Sequence, residues 1–357
     1  MTRILMTADA VGGVWAYAME LGRGLQRRGI EITLAALGPP PTLAQRAGAA
    51  SIGIEVVDIP GRLEWMDEPW DDVDSAGAQL LDLACEVQPD VVHLNGYSHA
   101  ALPWSAPVVV VAHSCVCSWW RAVYGESVPP RFDEYHARVA RGLHSAALVV
   151  APSHAMLLAL ENEYGRLPSA RVVANGSDFQ PAPAVDREPI VFSAGRIWDE
   201  AKNIEALCAA ASSLAWPVFV AGDCRRPGGE ALEPYGARYL GTLDREAMRE
   251  WCARASIYVM PARYEPFGLS VLEAARSGCA LVLGDIRSLR ENWDGAAVFV
   301  PPDNRRALAT AIQALAEDDV RRRKLAETAS GRSRSLTAAR MVDGYIDCYM
   351  SLPVGVA

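Results

Sequence analysis

The sequence predicts an α/β protein built as two similar domains, each on a parallel sheet, and three observations carry that prediction. Short apolar runs of strand length recur along the chain, many of them followed by a turn and then a helical stripe. The series is broken once, by "DFQPAPAVDREP" from Asp178 to Pro189, which has three prolines and no apolar period. At 357 residues the chain is also longer than most single cores. The expected domains are residues 1–180 and 190–335, each Rossmann-like, with a last helical segment at 336–357 that either packs back on the first domain or stands as an ordinary terminal helix.

Taken in order, Arg3 to Ala8 reads as a buried strand and Asp9 to Val14 as a turn. Val14, Ala18, Leu21 and Leu25 then trace a helical stripe closed by Gly29, before a second strand from Ile30 to Leu37. This is a βαβ opening. Gly12 and Gly13 permit close approach of backbone to a ligand, or simply make a tight turn; they do not form the dinucleotide fingerprint G-x-G-x-x-G. Ile54 to Ile59 and Val91 to Leu94 are further strands, with a helical segment near Ala78 to Val87. Arg62 to Asp74, acidic and carrying Trp65 and Trp70, reads as a solvated loop; if it overhangs a cleft it suits a cationic or sugar-like acceptor. Val108 to Ala112 is an unambiguous buried strand, and His113 follows at its carboxyl end, where crevices open in such sheets. Ser118 to Tyr135 is a candidate mobile element on the acceptor side. Ala147 to Ala151 is a strand, and Ser153 is placed to cap the next helix.

After the break, strands are expected at Ile190 to Ala194, Pro217 to Ala221, Arg238 to Leu240, Ile257 to Pro261, Ala280 to Leu283 and Ala297 to Val300. Helical stretches are expected at Asn203 to Ala211, Glu246 to Arg254 and Leu308 to Ala316. Chemistry-bearing residues cluster after these strands. Gly195-Arg196 ends the first, and Lys202 lies six positions on; an arginine fork and a mobile lysine together suit a diphosphate. Gly222-Asp223 ends the next. "YEPFGLSVLEAARSG", Tyr264 to Gly278, places Glu265 in a turn and Glu273 inside a helix. Pro266, Phe267 and Gly268 bring that helix's free amides toward an anion.

The composition, 51% hydrophobic and 22% charged with net charge −9 and pI near 5.3, fits a soluble protein and excludes the basic field of a nucleic-acid binder. Eight cysteines do not make a disulfide scaffold, and Cys115 with Cys117 does not specify a zinc site. No signal peptide or membrane-spanning run is read, so a cytoplasmic protein is expected, with peripheral contact at the inner face of a membrane left open.

With "GGV" near the start, "AHS" at His113, "APS" at Ser153, "NGSD" at Asn175, "GRIWDEAKN", "VAGD", "YLGTL" and the E-x7-E spacing from Glu265 to Glu273, the chain closely resembles the retaining glycosyltransferases of family 4. Their fold is GT-B, two Rossmann-like domains whose parallel sheets face an interdomain cleft. The resemblance implies transfer of a hexosyl group from a nucleotide diphosphate sugar to an acceptor hydroxyl, with no tightly bound cofactor or metal. It implies that Arg196 and Lys202 hold the donor diphosphate, that Glu273 binds the ribose, and that Glu265 and His113 attend the transferred sugar. Phe267, Gly268 and Leu269 would face donor sugar and phosphate through their amides, Leu243 would lie near the base, and Gly12 and Gly13 would approach donor phosphate or acceptor. Two departures stand out: Asn203 replaces the usual glycine one position later than in the commonest pattern, and "GDIRSLREN" replaces a Gly-Gly-x-x-Glu run, with Glu291 as the nearest match. The donor's base (UDP, GDP or ADP type), the acceptor (sugar, lipid-linked or small molecule) and the oligomeric state are not readable. A GT-B epimerase or phosphorylase, and a non-catalytic nucleotide-sugar binder, are the alternatives.

Overall fold

The computed structural model describes residues 2–183, 186–226, 229–232 and 234–352. Ala184 and Val185 of the expected linker, and 353–357 of the expected terminal segment, lie outside the described residues. The chain divides into two compact units, one of Met1–Arg121, Glu126–Gly176 and Ala338–Ala357, the other of Ala122–Gly125 and Ser177–Thr337.

In the first unit, β1 (Arg3–Asp9), β2 (Glu31–Leu37), β3 (Glu55–Ile59), β4 (Val91–Leu94), β5 (Val108–Val111), β6 (Leu148–Ala151) and β7 (Ala170–Val172) form one parallel sheet. Its order is β3-β2-β1-β4-β5-β6-β7, so the winding reverses between β1 and β4. Every residue of β4, β5 and β6 is buried, as helices covering both faces of a parallel sheet require. The helices are α1 (Gly13–Arg27), α2 (Leu43–Ala50), α3 (Trp70–Val87), α4 (Val116–Tyr124), α5 (Asp133–Ser145) and α6 (His154–Tyr164). The C-terminal helix, Ala338–Met350, belongs to this unit. Its Met341, Val342, Tyr345 and Tyr349 share one apolar cluster with Leu21 and Leu25 of α1.

Inside that cluster sits a polar thread. His93 of β4, with no exposed surface, has Nδ1 at 2.7 Å from the Tyr349 hydroxyl and Nε2 at 3.4 Å from the Tyr17 hydroxyl. Burial drives the His93 pKa down to about 3.

Three features of this unit go beyond the sequence reading. The acidic run from Arg62 to Asp74 is not all loop: α3 begins at Trp70, and Asp71 and Asp72 occupy its first turn, where carboxylates complement the helix dipole. Ser118 to Tyr135 is folded as most of α4, a 3₁₀ turn at Pro130–Phe132 and the start of α5, with the Trp120 and Phe132 rings 5.6 Å apart. Finally, α2 was not anticipated, although "TLAQ" is a capping box: Gln45 N donates to Thr42 Oγ1 (3.2 Å) and Thr42 N to Gln45 Oε1 (2.8 Å).

In the second unit, β8 (Glu188–Ala194), β9 (Val218–Ala221), β10 (Arg238–Tyr239), β11 (Ala255–Met260), β12 (Ala280–Gly284) and β13 (Val298–Val300) form a parallel sheet in the order β10-β9-β8-β11-β12-β13. Its helices are α7 (Ile204–Ala211), α8 (Arg245–Arg254), α9 (Leu269–Arg276), α10 (Arg287–Trp293), α11 (Arg305–Glu317) and α12 (Asp319–Ser333). One face packs Tyr258, Leu272 and Trp293; the other packs Ile257, Leu207 and Ile312.

The "GDIRSLREN" stretch is therefore largely helix, held to the core by Leu289 and Trp293. The α12 helix was missed because only Ala329 and Ser333 are buried, leaving no apolar stripe to read. The expected linker is also shorter. Phe179 is only 1% exposed, the Arg249 Nε donates to Gln180 O (2.7 Å), and β8 already begins at Glu188. No helix among the described residues is long and apolar enough to cross a membrane.

The buried histidine makes acid stability a test of the first unit. His93 stays neutral in the fold to about pH 3, whereas an unfolded histidine titrates near 6.5. Its contribution is complete above 6.5 and is lost as pH falls toward 3, because only the unfolded chain takes up the proton. The slope is up to about 1.4 kcal/mol per pH unit. Urea denaturation from pH 7.5 to 4.5 should show this loss together with a similar one from His113, whose pKa burial also lowers to about 3, so His93→Gln should remove about half of the slope; an unchanged slope in the variant would show that His93 is not one of its sources.

Candidate active site

The order of the second sheet reverses between β8 and β11, so the loops leaving their carboxyl ends part and open a crevice. Both loops carry charge, and they are tied together. Arg263 N donates to Ala201 O at 2.8 Å, and the Asn203 side-chain amide donates to Pro261 O (2.9 Å) and Pro302 O (2.8 Å). Lys202 Nζ, from the β8 loop, lies 2.6 Å from Glu265 Oε2, from the β11 loop. These side chains are only 14% and 13% exposed, which removes the pair from the class of screened surface bridges.

The other Glu265 oxygen closes the structure. Its Oε1 accepts from Phe267 N (3.2 Å) and Gly268 N (2.9 Å), at the entry to α9. This corrects the expectation of free amides there: the Phe267 and Gly268 N–H groups are already held by the chain's own carboxylate, because an acidic residue two and three positions upstream can fold back on them. Phe267 is buried in the core and Leu269 packs beside it, so their side chains serve packing. Gly268 has φ +90°, and a Cβ there would press on Val271 (3.2 Å) and Leu289 (3.4 Å). What demands glycine at 268 is the turn itself.

Arg196 is set by a buried acid. Its Nη2 lies 2.7 Å from Oδ2 of Asp199, which is 4% exposed, and Asp199 Oδ1 also accepts from Ala201 N (3.1 Å). The guanidinium lies 5.1 Å from the Trp198 ring. Its Nε is buried with no protein acceptor among the described residues, which a ligand oxygen could supply. Gly222 is at the same end of the sheet, and a Cβ on it would fall 1.8 Å from Gly195 O, so β9 and β8 leave the sheet in direct backbone contact.

Glu273 is half-buried on α9. Burial is the main cause that raises the Tyr258 phenol and the Cys252 thiol, and the Glu273 charge adds to both. The Tyr258 hydroxyl (3.1 Å) and the Ser270 hydroxyl (3.4 Å) both donate to Ala194 O, joining the start of α9 to the end of β8. Leu243, half-buried after β10, packs against the same core as Phe267. Glu291 is exposed on α10.

The remaining predicted residues belong to the first unit. Gly12, with φ +107°, precedes α1 without a side-chain cap, and a Cβ on Gly13 would meet nothing within 4 Å. The Gly12-Gly13 turn is thus open and exposed. His113 follows β5, with Nε2 at 2.8 Å from Asn95 Oδ1. The Asn95 Nδ2 donates to Thr7 O (2.6 Å), which fixes the amide so that its oxygen faces the imidazole. Nε2 therefore carries the proton, and Nδ1 is left as an acceptor. Burial, with a smaller contribution from His93, lowers the His113 pKa to about 3, so the ring is neutral at ordinary pH.

A pocket of about 60 Å³ opens beside this group, lined among others by Asp9, Arg62, Glu64, Trp65, Asn95 and His99. Sequence reasoning singled out Trp65 but missed Asn95 and Asp199. Asn95 directly follows β4 and Asp199 lies in the loop after β8, both strands flanking a switch point, and that position was the available signal. Among the described residues, no group of three or more His, Cys, Asp or Glu is placed to hold a metal ion.

The family model described as Glycosyltransferase Family 4 matches residues 11–180, and that described as Glycosyl transferases group 1 matches residues 188–318. A D-inositol 3-phosphate glycosyltransferase of Xylanimonas cellulosilytica is 27% identical, over 95% of this chain and 92% of that protein. Among solved structures, sucrose-phosphate synthase of Thermosynechococcus elongatus superposes with TM-score 0.79 at 18% identity, covering 98% of this chain and 100% of that one. Anabaena Alr3699/HepE, determined with UDP and glucose, superposes with TM-score 0.78 at 17% identity, covering 99% and 100%.

Asn203 supplies the test of the loop geometry. Its φ of +56° is the left-handed conformation a glycine takes without strain, which accounts for asparagine standing where glycine is usual. Asn203→Ala should destabilise the second unit by about 2–4 kcal/mol, through left-handed strain and two buried carbonyls left without donors. Asn203→Gly keeps the backbone and should recover about 1 kcal/mol of that loss. Denaturant titration of both variants measures the split, and equal losses would remove the conformational part of the argument.

Proposed function

The chain belongs to the family 4 glycosyltransferases of GT-B fold, and we propose that the β8–β11 switch point of its second unit is the donor site. It transfers a sugar from a nucleotide diphosphate sugar to an acceptor. The observation that carries the donor assignment is the shielded Lys202–Glu265 contact across that switch point, with Arg196 on the same loop as Lys202.

In this reading Arg196 and Lys202 take the diphosphate. Lys202 keeps two N–H groups beyond the one facing Glu265, and the Arg196 Nε gains the acceptor it lacks in the protein. Glu265 holds α9 and Lys202 in place while its remaining lone pairs accept from hydroxyls of the transferred sugar. Glu273 takes the ribose hydroxyls. The bond from the anomeric carbon to the phosphate oxygen breaks with its electron pair staying on the phosphate. The acceptor oxygen then bonds to the same face of that carbon, giving retention, and the acceptor proton passes to the departing phosphate. The basic pair offsets the charge that develops on the leaving group. No side chain has to attack, and Glu265, tied at both oxygens, is better built to orient than to displace.

For the acceptor we favour a polyhydroxylated ring. The first-unit pocket offers an indole face at Trp65 and hydrogen-bonding groups at Asp9, Asn95 and His99. At about 60 Å³ it admits a hydroxyl-bearing edge and no more of the ring. The inositol-phosphate relative is in keeping with such an acceptor.

Three measurements test these assignments. Arg196→Ala should lower kcat/KM by about 10²–10³, as loss of one strong contact to the leaving group. Lys202→Met and Glu265→Gln should each be severe, while the double variant should lose far less than the product of the two, with a coupling of about 1 kcal/mol or more. Strict additivity would mean that the pair does not act as a unit. On the acceptor side, Trp65→Ala should raise the acceptor KM by about 3- to 10-fold at unchanged donor affinity, in line with loss of an aromatic contact. An unaltered acceptor KM would remove this pocket from the reading.

A further inference from the structure

At the opposite end of the second-unit sheet lies a larger, open pocket of about 360 Å³ whose lining is dominated by arginine. Arg187 precedes β8, Ser256 opens β11, and Gly278 lies just before β12, so this is the amino-terminal edge of the strands. The donor-site loops leave the carboxyl ends of β8 and β11. The six residues of β11 put the two sites roughly 20 Å apart. From α12 and just beyond it, Arg322, Arg323, Ser330 and Arg334 complete the wall.

The charges here are under-compensated. The half-buried Arg187 guanidinium is held by the carbonyls of Cys252, Ala255 and Ser277, which fix its position and leave its charge in place. Gly278 makes room for it, since a Cβ there would come within 2.9 Å of Arg187 Nη2. Arg322 and Arg323 share a single carboxylate, Asp319, and Arg322 also lies 4.8 Å from the Trp216 ring. Arg334 makes no ion pair among the described residues. Glu327, on the wall, is the only acidic residue lining the pocket among the described residues. Four arginines thus line the pocket beside one glutamate, in a chain whose net charge is −9; Arg322 is turned to the Leu315 and Ala316 carbonyls as well as to Asp319, which leaves Arg323 and Arg334 as the outward charges. Nothing in the fold requires this concentration, because Arg323 and Arg334 lie at the surface.

We propose that this pocket binds a phosphate-bearing ligand, at a site separate from the donor site and independent of the donor reading. Arginine forks match phosphate oxygens in pairs, and the Ser330 hydroxyl can add a donor. The volume, at the lower end of the range for small-molecule sites, suits a ligand no larger than a phosphorylated sugar or a phospholipid headgroup. Both sources share the phosphomonoester or diester chemistry that the arginines recognise.

The test uses inorganic pyrophosphate as the probe, titrated calorimetrically at low salt into the full chain, into Arg323→Gln/Arg334→Gln, and into Arg196→Ala. Both altered arginines of the double variant are exposed, and unchanged thermal melting in the absence of probe confirms its fold. Binding that weakens at least tenfold in the double variant and persists in Arg196→Ala supports the second site. Binding that falls only in Arg196→Ala, or in neither variant, or no detectable binding to the full chain, overturns it. Co-sedimentation with phosphatidylglycerol vesicles, against phosphatidylcholine vesicles, separates the sources. Loss of phosphatidylglycerol binding in the double variant points to a headgroup, and pyrophosphate binding without vesicle binding points to a soluble phosphate.

Discussion

The second unit depends on how one nearly buried carboxylate is satisfied. Glu265 is 13% exposed at its side chain, and a charge so placed is costly unless it is fully paired. It finds three partners: the ammonium of Lys202 and the Phe267 and Gly268 amides just ahead of α9. Those partners come from the β8 loop and the α9 entry, so satisfying one carboxylate fixes two loops and a helix. The Ser288 hydroxyl of α10 donates to the Glu265 carbonyl, adding a third element. A ligand that draws Lys202 toward its phosphates therefore also acts on Glu265 and on the helix start.

The same parallel sheet explains why the candidate sites lie where they do. All strands point one way, so the loops after their carboxyl ends gather at one edge, and the winding reversal opens room there. The opposite edge is equally rich in chain reversals. There the ends of α8 and α9 expose carbonyls, and Arg187 answers those of Cys252, Ala255 and Ser277. A half-buried structural arginine and a group of arginines from α12 and just beyond it thereby meet in one pocket. The molecule is acidic as a whole, yet cationic groups collect at both ends of this sheet.

The parts of the fold that could be read in advance are those with strong local pattern. The "VVVV" run of β5 needs no tertiary context to be a buried strand, and the stripe of α1 declares its own packing face. Where the pattern was weak the reading failed for identifiable reasons. The α12 helix buries almost nothing apolar, α10 has one buried leucine in a polar heptad, and α3 extends into an acidic stretch that resembles a loop. A capping box announced α2 and was passed over. At the site, the residue types at Arg196, Lys202, Glu265 and Glu273 stood out by spacing and by family resemblance. The partners that orient them, Asp199 and Ser288, did not, and Asn203 stood out only as a departure from the usual glycine, because each acts through a bond whose other end is distant or conformation-dependent.

Taken alone, the sequence determined the alternation of strand and helix, the break into two similar halves, the family, and the short list of charged residues after the strands. These follow from local periodicity and residue chemistry, which need no knowledge of what lies alongside. Only the tertiary structure decided which groups meet. It placed Lys202 against Glu265 across 63 positions of chain, engaged the Phe267 and Gly268 amides with that same carboxylate, buried His113 so that its ring stays neutral, and fixed that ring's tautomer through Asn95 and Thr7. It also drew Arg187 and Arg334 into one pocket from either end of the second unit. The physical reason is the same each time. A charge or a donor is legible in a sequence, but its partner is chosen by the packing of distant segments.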